Sequence, residues 1–220
     1  MNVILFGATG MVGQGVLREC VLDPDVHQIL SIVRTPTNQQ NPKLKEFVLK
    51  DFFDYSAIEP QLTGYDACIF TLGVSSAGMD EAAYTRMTHD LTLAAATTLV
   101  RLSPQMTFLY VSGAGTDSTE HGRAMWARVK GRTENDLLKL PFRAPYMFRP
   151  GVIQPLHGIK SKTRIYQFFY DVFRPVFPIL RALFPQSITT TQQLGRAMLH
   201  VAKHGYPKPI LEAKDINSIN

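Results

Sequence analysis

Cysteine is scarce in this chain. Cys20 and Cys68 are the two in 220 residues; both lie in apolar stretches and neither has a metal-ligand spacing. A disulfide framework and a metal centre are therefore not expected, and the thiols read as buried and reduced in a cytoplasmic protein. Long apolar runs are absent too, so nothing reaches the roughly 20 residues of a membrane-spanning helix. The short run Val3 to Phe6 has no basic region before it and ends in a glycine turn, which does not read as a secretory signal. Charged residues make up 19%, with a formal net charge of +5. No dense Lys/Arg tract interleaved with aromatics accompanies that excess, which argues against nucleic acid. A mild positive balance suits an anionic ligand such as a phosphorylated cofactor.

What is present is alternation. Strand-length apolar runs at Asn2–Phe6, Gln28–Val33, Glu46–Leu49, Asp66–Leu72, Thr107–Ser112 and Pro145–Arg149 alternate with segments of helical character. The helices expected are Met11–Leu22, Tyr55–Gln61, Asp80–Leu102 and His121–Lys139. Four of the strands are almost continuously apolar, as strands buried on both faces must be. The pattern predicts an α/β protein, a doubly wound parallel sheet of the Rossmann type with helices on both faces. Length fits a single domain over 1–220. After Pro150 the texture changes: 152–187 is irregular, aromatic and proline-rich, and reads as a short C-terminal lid segment over the site. Thr190 or Thr191 then caps a last helix ending near Gly205, and Pro209 to Leu211 adds a final strand.

The first strand runs directly into Gly7-Ala8-Thr9-Gly10-Met11-Val12-Gly13 and then a helix. In that context three glycines have separate uses: the tight turn, the approach of backbone to a pyrophosphate, and close packing of helix on strand. The helix N-terminus then offers free amides and the positive end of its dipole to the phosphates. Gly7, Thr9, Gly10, Met11, Val12 and Gly13 are thus candidate cofactor contacts. The second strand ends at Arg34, where an NAD site would usually offer a carboxylate to the ribose 2′-hydroxyl. A guanidinium there pairs with a 2′-phosphate, so NADP(H) is expected over NAD(H).

These residues resemble the short-chain dehydrogenase/reductase superfamily, in its extended or atypical branch, and within that the Tat-interacting-protein type of small members. The resemblance implies further roles. Asp51 matches an acidic residue that contacts adenine, Thr71, Leu72 and Gly73 match the loop that passes the cofactor ribose, and Ser112 matches the serine that orients a substrate carbonyl. Arg149-Pro150-Gly151 lines the nicotinamide end. Active members carry a tyrosine four residues before a lysine on the helix after the fifth strand. Here Lys130 is present, and Trp126 stands where that tyrosine should be. An indole N–H donates a hydrogen bond but does not give up its proton at ordinary pH. Replacement donors are His121, Tyr84 or water. His89 and Asp90 could face the site or be surface residues.

Elsewhere the motifs are thinner. Ser75 and Ser76 read as substrate contacts or as a turn, and Thr116 to Thr119 as a helix-capping loop. The aromatic stretch Ile165–Phe184 reads as a substrate lid, a membrane-surface helix or a dimer face; Pro175 and Pro178 weigh against the membrane. Two functions follow. One is an NADP(H)-dependent oxidoreductase acting on a small carbonyl compound with altered acid chemistry. The other is a cofactor-binding redox sensor or scaffold that recruits a protein partner.

Overall fold

The computed structural model describes residues 1–37, 39–159, 184 and 186–219. Among them, seven strands form one parallel sheet: β1 (Asn2–Phe6), β2 (Gln28–Val33), β3 (Leu44–Val48), β4 (Ala67–Phe70), β5 (Thr107–Val111), β6 (Ala144–Arg149) and β9 (Ile210–Glu212). Their spatial order is β3-β2-β1-β4-β5-β6-β9, so the chain winds outward from β1 in one direction and then from β4 in the other. The expected doubly wound α/β fold is the observed one.

Period-two alternation sorts the core into two halves. Val3 and Leu5 of β1 face α1 (Met11–Leu22) and α5 (Thr191–His204), packing with Val16, Leu17, Cys20, Leu194, Met198 and Val201. Ile4 and Phe6 face the opposite way, toward Leu91, Ala95 and Leu99 of α3 (Leu91–Leu102) and Leu137 of α4 (Met125–Lys139). Residues 3 to 6 are each fully buried. A side chain of that kind contributes about 1.5–3 kcal/mol by leaving water. Both faces of β1 and β4 need apolar cover, which is why those segments are continuous apolar runs.

The structure corrects several expected elements. Tyr55–Gln61 is a 3₁₀ turn, Ser56–Leu62, because Pro60 inside it has no N–H to continue an α ladder. Asp80–Leu102 divides into α2 (Glu81–Thr85), a π turn (Arg86–Asp90) and α3. Asp80 caps α2, its Oδ1 accepting from the Ala83 amide at 2.7 Å. Helix α4 begins at Met125 rather than His121, and its N-cap Ala124 has no side chain to offer. Thr116 to Thr119 therefore does not cap it. Asp117 instead folds that loop on itself, accepting from the amides of Thr119 at 3.0 Å and Gly122 at 2.6 Å.

Three short elements were not anticipated. β7 (Val152–Gln154) and β8 (Ile188–Thr190) pair in parallel as a separate ribbon, and α6 (Ala213–Ser218) follows β9. The ribbon places both ends of the expected lid, 152–154 and 188–190, beside each other. The expected lid residues 160–183 and 185, with most of Ile165–Phe184, lie outside the described residues. Thr190 caps α5, its hydroxyl accepting from the Gln193 amide at 3.0 Å.

Candidate functional site

At the C-terminal end of β1 the backbone turns through Gly7 at φ +86°. A Cβ there would sit 2.6 Å from Thr71 Oγ1 and 2.8 Å from the Leu72 amide nitrogen. A Cβ on Gly13 would fall 1.9 Å from the Gly7 carbonyl oxygen. Any side chain at either position therefore pushes α1 and the end of β4 away from the turn. Thr71 fastens the arrangement, its hydroxyl donating to the Phe6 carbonyl at 2.7 Å, and the Gly10 amide closes the turn onto Gly7 O at 2.9 Å. No side chain caps α1 at Gly10, and its first turn carries no acidic residue. Met11, Val12 and Gly13 thus begin a helix whose leading amides have no intrahelical acceptor, an arrangement that suits an anion. Thr9 stands half-buried before them, its carbonyl held by the Gln14 side chain at 3.2 Å.

Beside this turn is a cavity of about 300 Å³ lined by Gly7, Ala8, Thr9, Ile32, Val33, Arg34, Thr35, Phe52 and Leu72. Ile32, Phe52 and Leu72 supply apolar wall, and Arg34, exposed at the end of β2, supplies charge at the rim. Glu46 on β3, across from Ser31 in register, has its carboxylate taken up by the Thr37 amide at 3.0 Å and the Thr37 hydroxyl. Asp51 is exposed and accepts from the Phe53 amide at 2.9 Å; its neighbour Phe52, not Asp51, forms the cavity wall. Gly73 is exposed just beyond Leu72. Two larger hollows, about 390 and 410 Å³, lie along α1 and its far end, away from the glycine turn.

A second cluster gathers where β5, β6, β9 and α4 meet. Glu134 of α4 is fully buried. Arg149 at the end of β6 binds it, Nε lying 3.0 Å from Oε1 and Nη2 reaching Oε2. Arg149 Nη1 also reaches Glu212 at 3.1 Å, and Nη2 reaches the Ser118 hydroxyl. Burial works against the Arg149 charge, yet the bonds to Glu134 and Glu212 outweigh it and raise its pKa. Ser112 is 5% exposed, and its hydroxyl donates to the same Glu134 carboxylate. The structure thus turns the Ser112 hydroxyl into this knot and spends the Arg149 guanidinium there. Pro150 accepts from the Ala114 amide at 2.8 Å, and Gly151 lies under the Ser187 carbonyl, 2.3 Å from where a Cβ would stand.

Lys130, one turn before Glu134, donates from Nζ to the Ser112 carbonyl oxygen. Burial lowers its pKa from 10.5 to about 8, with Glu134 partly opposing the fall. Trp126, one turn earlier again, is half-buried, and its ring lies over Gly115 in the loop after β5, Cη2 being 3.4 Å from where a Cβ would stand. Trp126 and Lys130 thus share one face of α4 above the end of β5. His121 is exposed in the loop before α4, and Tyr84, within α2, is 2% exposed. His89 ties the π turn to α4, its ring nitrogens 2.8 Å from Asp90 and 2.9 Å from Asp136. Ser75 accepts from the Ala77 amide at 3.2 Å, forming a turn.

Sequence reasoning missed Glu134, Ser118 and Glu212. A signal for Glu134 was present: it follows Lys130 by four residues and so shares its helix face. A charged residue at the end of a buried strand also requires a partner, which Arg149 announced.

No family model matches the chain. A protein of Emericella nidulans named "Protein fmp52, mitochondrial" is 31% identical over 159 residues, covering 69% of this chain and 66% of that protein. The matched part thus spans just under two thirds of that relative. Relatives of the same name from Eremothecium gossypii, Aspergillus clavatus and Saccharomyces cerevisiae are 26%, 29% and 26% identical and also named mitochondrial, which overturns the expectation of a cytoplasmic protein. Among solved structures, a short-chain dehydrogenase/reductase from Saccharomyces cerevisiae aligns with TM-score 0.66 and 12% identity over 97% of this chain and 96% of that one. The Bordetella bronchiseptica enzyme WbmF, solved in complex with NAD+, aligns with TM-score 0.68 and 13% identity over 99% of this chain and 76% of that one. The chain therefore has the Rossmann-like fold of the short-chain dehydrogenases/reductases, and its sequence is similar to the fungal FMP52 proteins.

Proposed function

We propose that this chain is an NADP(H)-binding oxidoreductase-like protein of the atypical short-chain dehydrogenase/reductase type, reducing a small carbonyl compound. The observation that carries the reading is the glycine turn: two positions where a Cβ cannot fit, set against a helix N-terminus and a cavity with an arginine at its rim. A dinucleotide fits these residues. Its pyrophosphate would meet the amides of Met11 to Gly13, its adenosine half would take the cavity beside Phe52 and Leu72, and its 2′-phosphate would reach Arg34. When bound, NADP(H) supplies hydride chemistry. Lys130 would hold the ribose, while Trp126 would occupy the space of the usual tyrosine as a wall beside the nicotinamide. The FMP52 names make mitochondria the setting to test first.

Calorimetric titration tests the cofactor. NADPH should bind at least about tenfold tighter than NADH, a difference of about 1.4 kcal/mol. Equal affinities would remove Arg34 from the reading, as would an Arg34→Ala variant with unchanged NADPH affinity. Trp126 favours a second reading, a cofactor-binding sensor or scaffold that recruits a partner, because an indole does not supply a proton. Tight NADPH binding without oxidation by generic aldehydes and ketones would select that reading.

A further inference from the structure

We infer that Lys130 is the proton donor of the site, delivering a proton from its ammonium nitrogen to the carbonyl oxygen of the substrate. The inference rests on the NADP(H) reductase reading above and assigns the acid which that reading lacks. Burial, existing hydrogen bonds and chemistry set aside Ser112, Tyr84 and Trp126, which leaves His121 as the competitor. The Ser112 hydroxyl points at Glu134, Tyr84 of α2 is buried, and the Trp126 indole holds its proton. His121 is exposed in the loop ahead of α4. Lys130 remains, one helical turn from Trp126, with its nitrogen bonded to the carbonyl oxygen of Ser112, the residue just past β5.

An ammonium carries three donors. Among the described residues the Ser112 carbonyl is the one acceptor given to Lys130, which leaves two N–H bonds for the cofactor ribose and a substrate oxygen. The charged groups around it are already committed. Glu134 on α4 is held by Arg149 from β6, Arg149 is also held by Glu212 from β9, and Tyr110 of β5 lies beside both Glu134 and Tyr84. Burial has already brought the amine to about 8, close to the working range of a general acid.

The balance is simple. NADPH, when bound, would supply the hydride, two electrons, that the carbonyl carbon takes up. As the C=O π bond breaks, its oxygen takes a proton from Lys130 Nζ. The amine left neutral regains its proton from water, and an alcohol is released.

Three measurements test this on the intact chain. NADPH titration by fluorescence comes first, since failure to bind would end the cofactor reading itself. NMR of ¹³C-lysine-labelled protein, with Lys130 assigned by its loss in Lys130→Arg, should show one lysine titrating near pH 8. Reduction of 4-nitrobenzaldehyde by bound NADPH should fall as pH rises through about 8, since the protonated amine is the donor, and the reverse alcohol oxidation should rise over the same range. Lys130→Arg keeps the charge but cannot release a proton at these pH values, so with NADPH at saturation it should lose about 10²-fold or more in reduction rate. With NADPH bound, four results would each overturn the assignment: no reduction by wild type, a flat pH profile, an active Lys130→Arg, or loss of reduction in His121→Ala instead. A lysine titrating near 10.5 would do the same without any turnover.

Discussion

At the scale of single residues, the positions that matter most are those where a side chain has no room or a charge has no water. Gly13→Ala would place a methyl 1.9 Å from the Gly7 carbonyl, which a backbone cannot yield to without opening the turn. We expect it to fold with lowered stability and to lose NADPH binding by at least about 100-fold, read by fluorescence titration; unchanged affinity would remove the turn from the cofactor site. Glu134 is the charge without water. Glu134→Ala leaves Arg149 buried and half-paired, a loss of about 3–5 kcal/mol that should appear as a fall in melting temperature. A neutral result would show that Glu212 and Ser118 alone hold Arg149. Trp126→Tyr restores a phenol one turn from Lys130, so NADPH oxidation by generic aldehydes should rise above wild type. A variant that only loses stability would put Trp126 in a packing role.

The glycine turn was legible in the sequence because each glycine stands where a strand passes into a helix, a position with few other uses. The knot was not legible. Ser112 and Arg149 were assigned by resemblance to roles facing a ligand, and nothing in their immediate sequence shows that both side chains turn inward to Glu134, 22 and 15 residues away. Pairing between β5, β6 and α4 decides it, and that is a tertiary fact.

At the scale of elements, the apolar strands β1, β2, β4 and β5 were readable because burial on both faces leaves few polar positions to confuse the pattern. The helix expected over 80–102 shows where periodicity stops informing. Apolar spacing continues through it, yet Arg86 to Asp90 widens into a π turn, placing His89 between Asp90 and Asp136. β7 and β8, three residues each, carry too few positions for alternation to register and fall at the start and just past the end of the irregular stretch 152–187. Helix α1 allows an element-level test. Cys20 on its buried face has its thiol pushed up to about 12, by burial first and by Asp23 and Glu19 next, and Cys68 in β4 is raised well above its ordinary value by burial. Neither is a thiolate at neutral pH. A thiol reagent should therefore modify both cysteines only at the rate of unfolding, and fast labelling of the native protein would mean that α1 or β4 is less closely covered than described.

At the scale of the whole molecule, one sheet presents its C-terminal edge with two stations: the glycine turn with its cavity after β1, and Lys130 with Trp126 after β5. The burial that lowers the Lys130 pKa also links this site to global stability. Its folded pKa lies below the unfolded value, so between about pH 8 and 10.5 the unfolded chain binds the extra proton and stability rises with pH; below about 8 the contribution is flat. Against Lys130→Met, which lacks the group, the wild type should gain up to roughly 3 kcal/mol across that window in urea unfolding. A difference that does not change with pH would place the amine in water.

The central claim is that the glycine turn and Arg34 make this an NADP(H) site, and paired titrations of NADPH and NADH on wild type and Arg34→Ala test it most directly. The NADP(H) proposal predicts saturable NADPH binding at least about tenfold tighter than NADH in the wild type, with the ratio falling toward one in the variant. No saturable binding of either cofactor, or equal binding of both in the wild type, would contradict it.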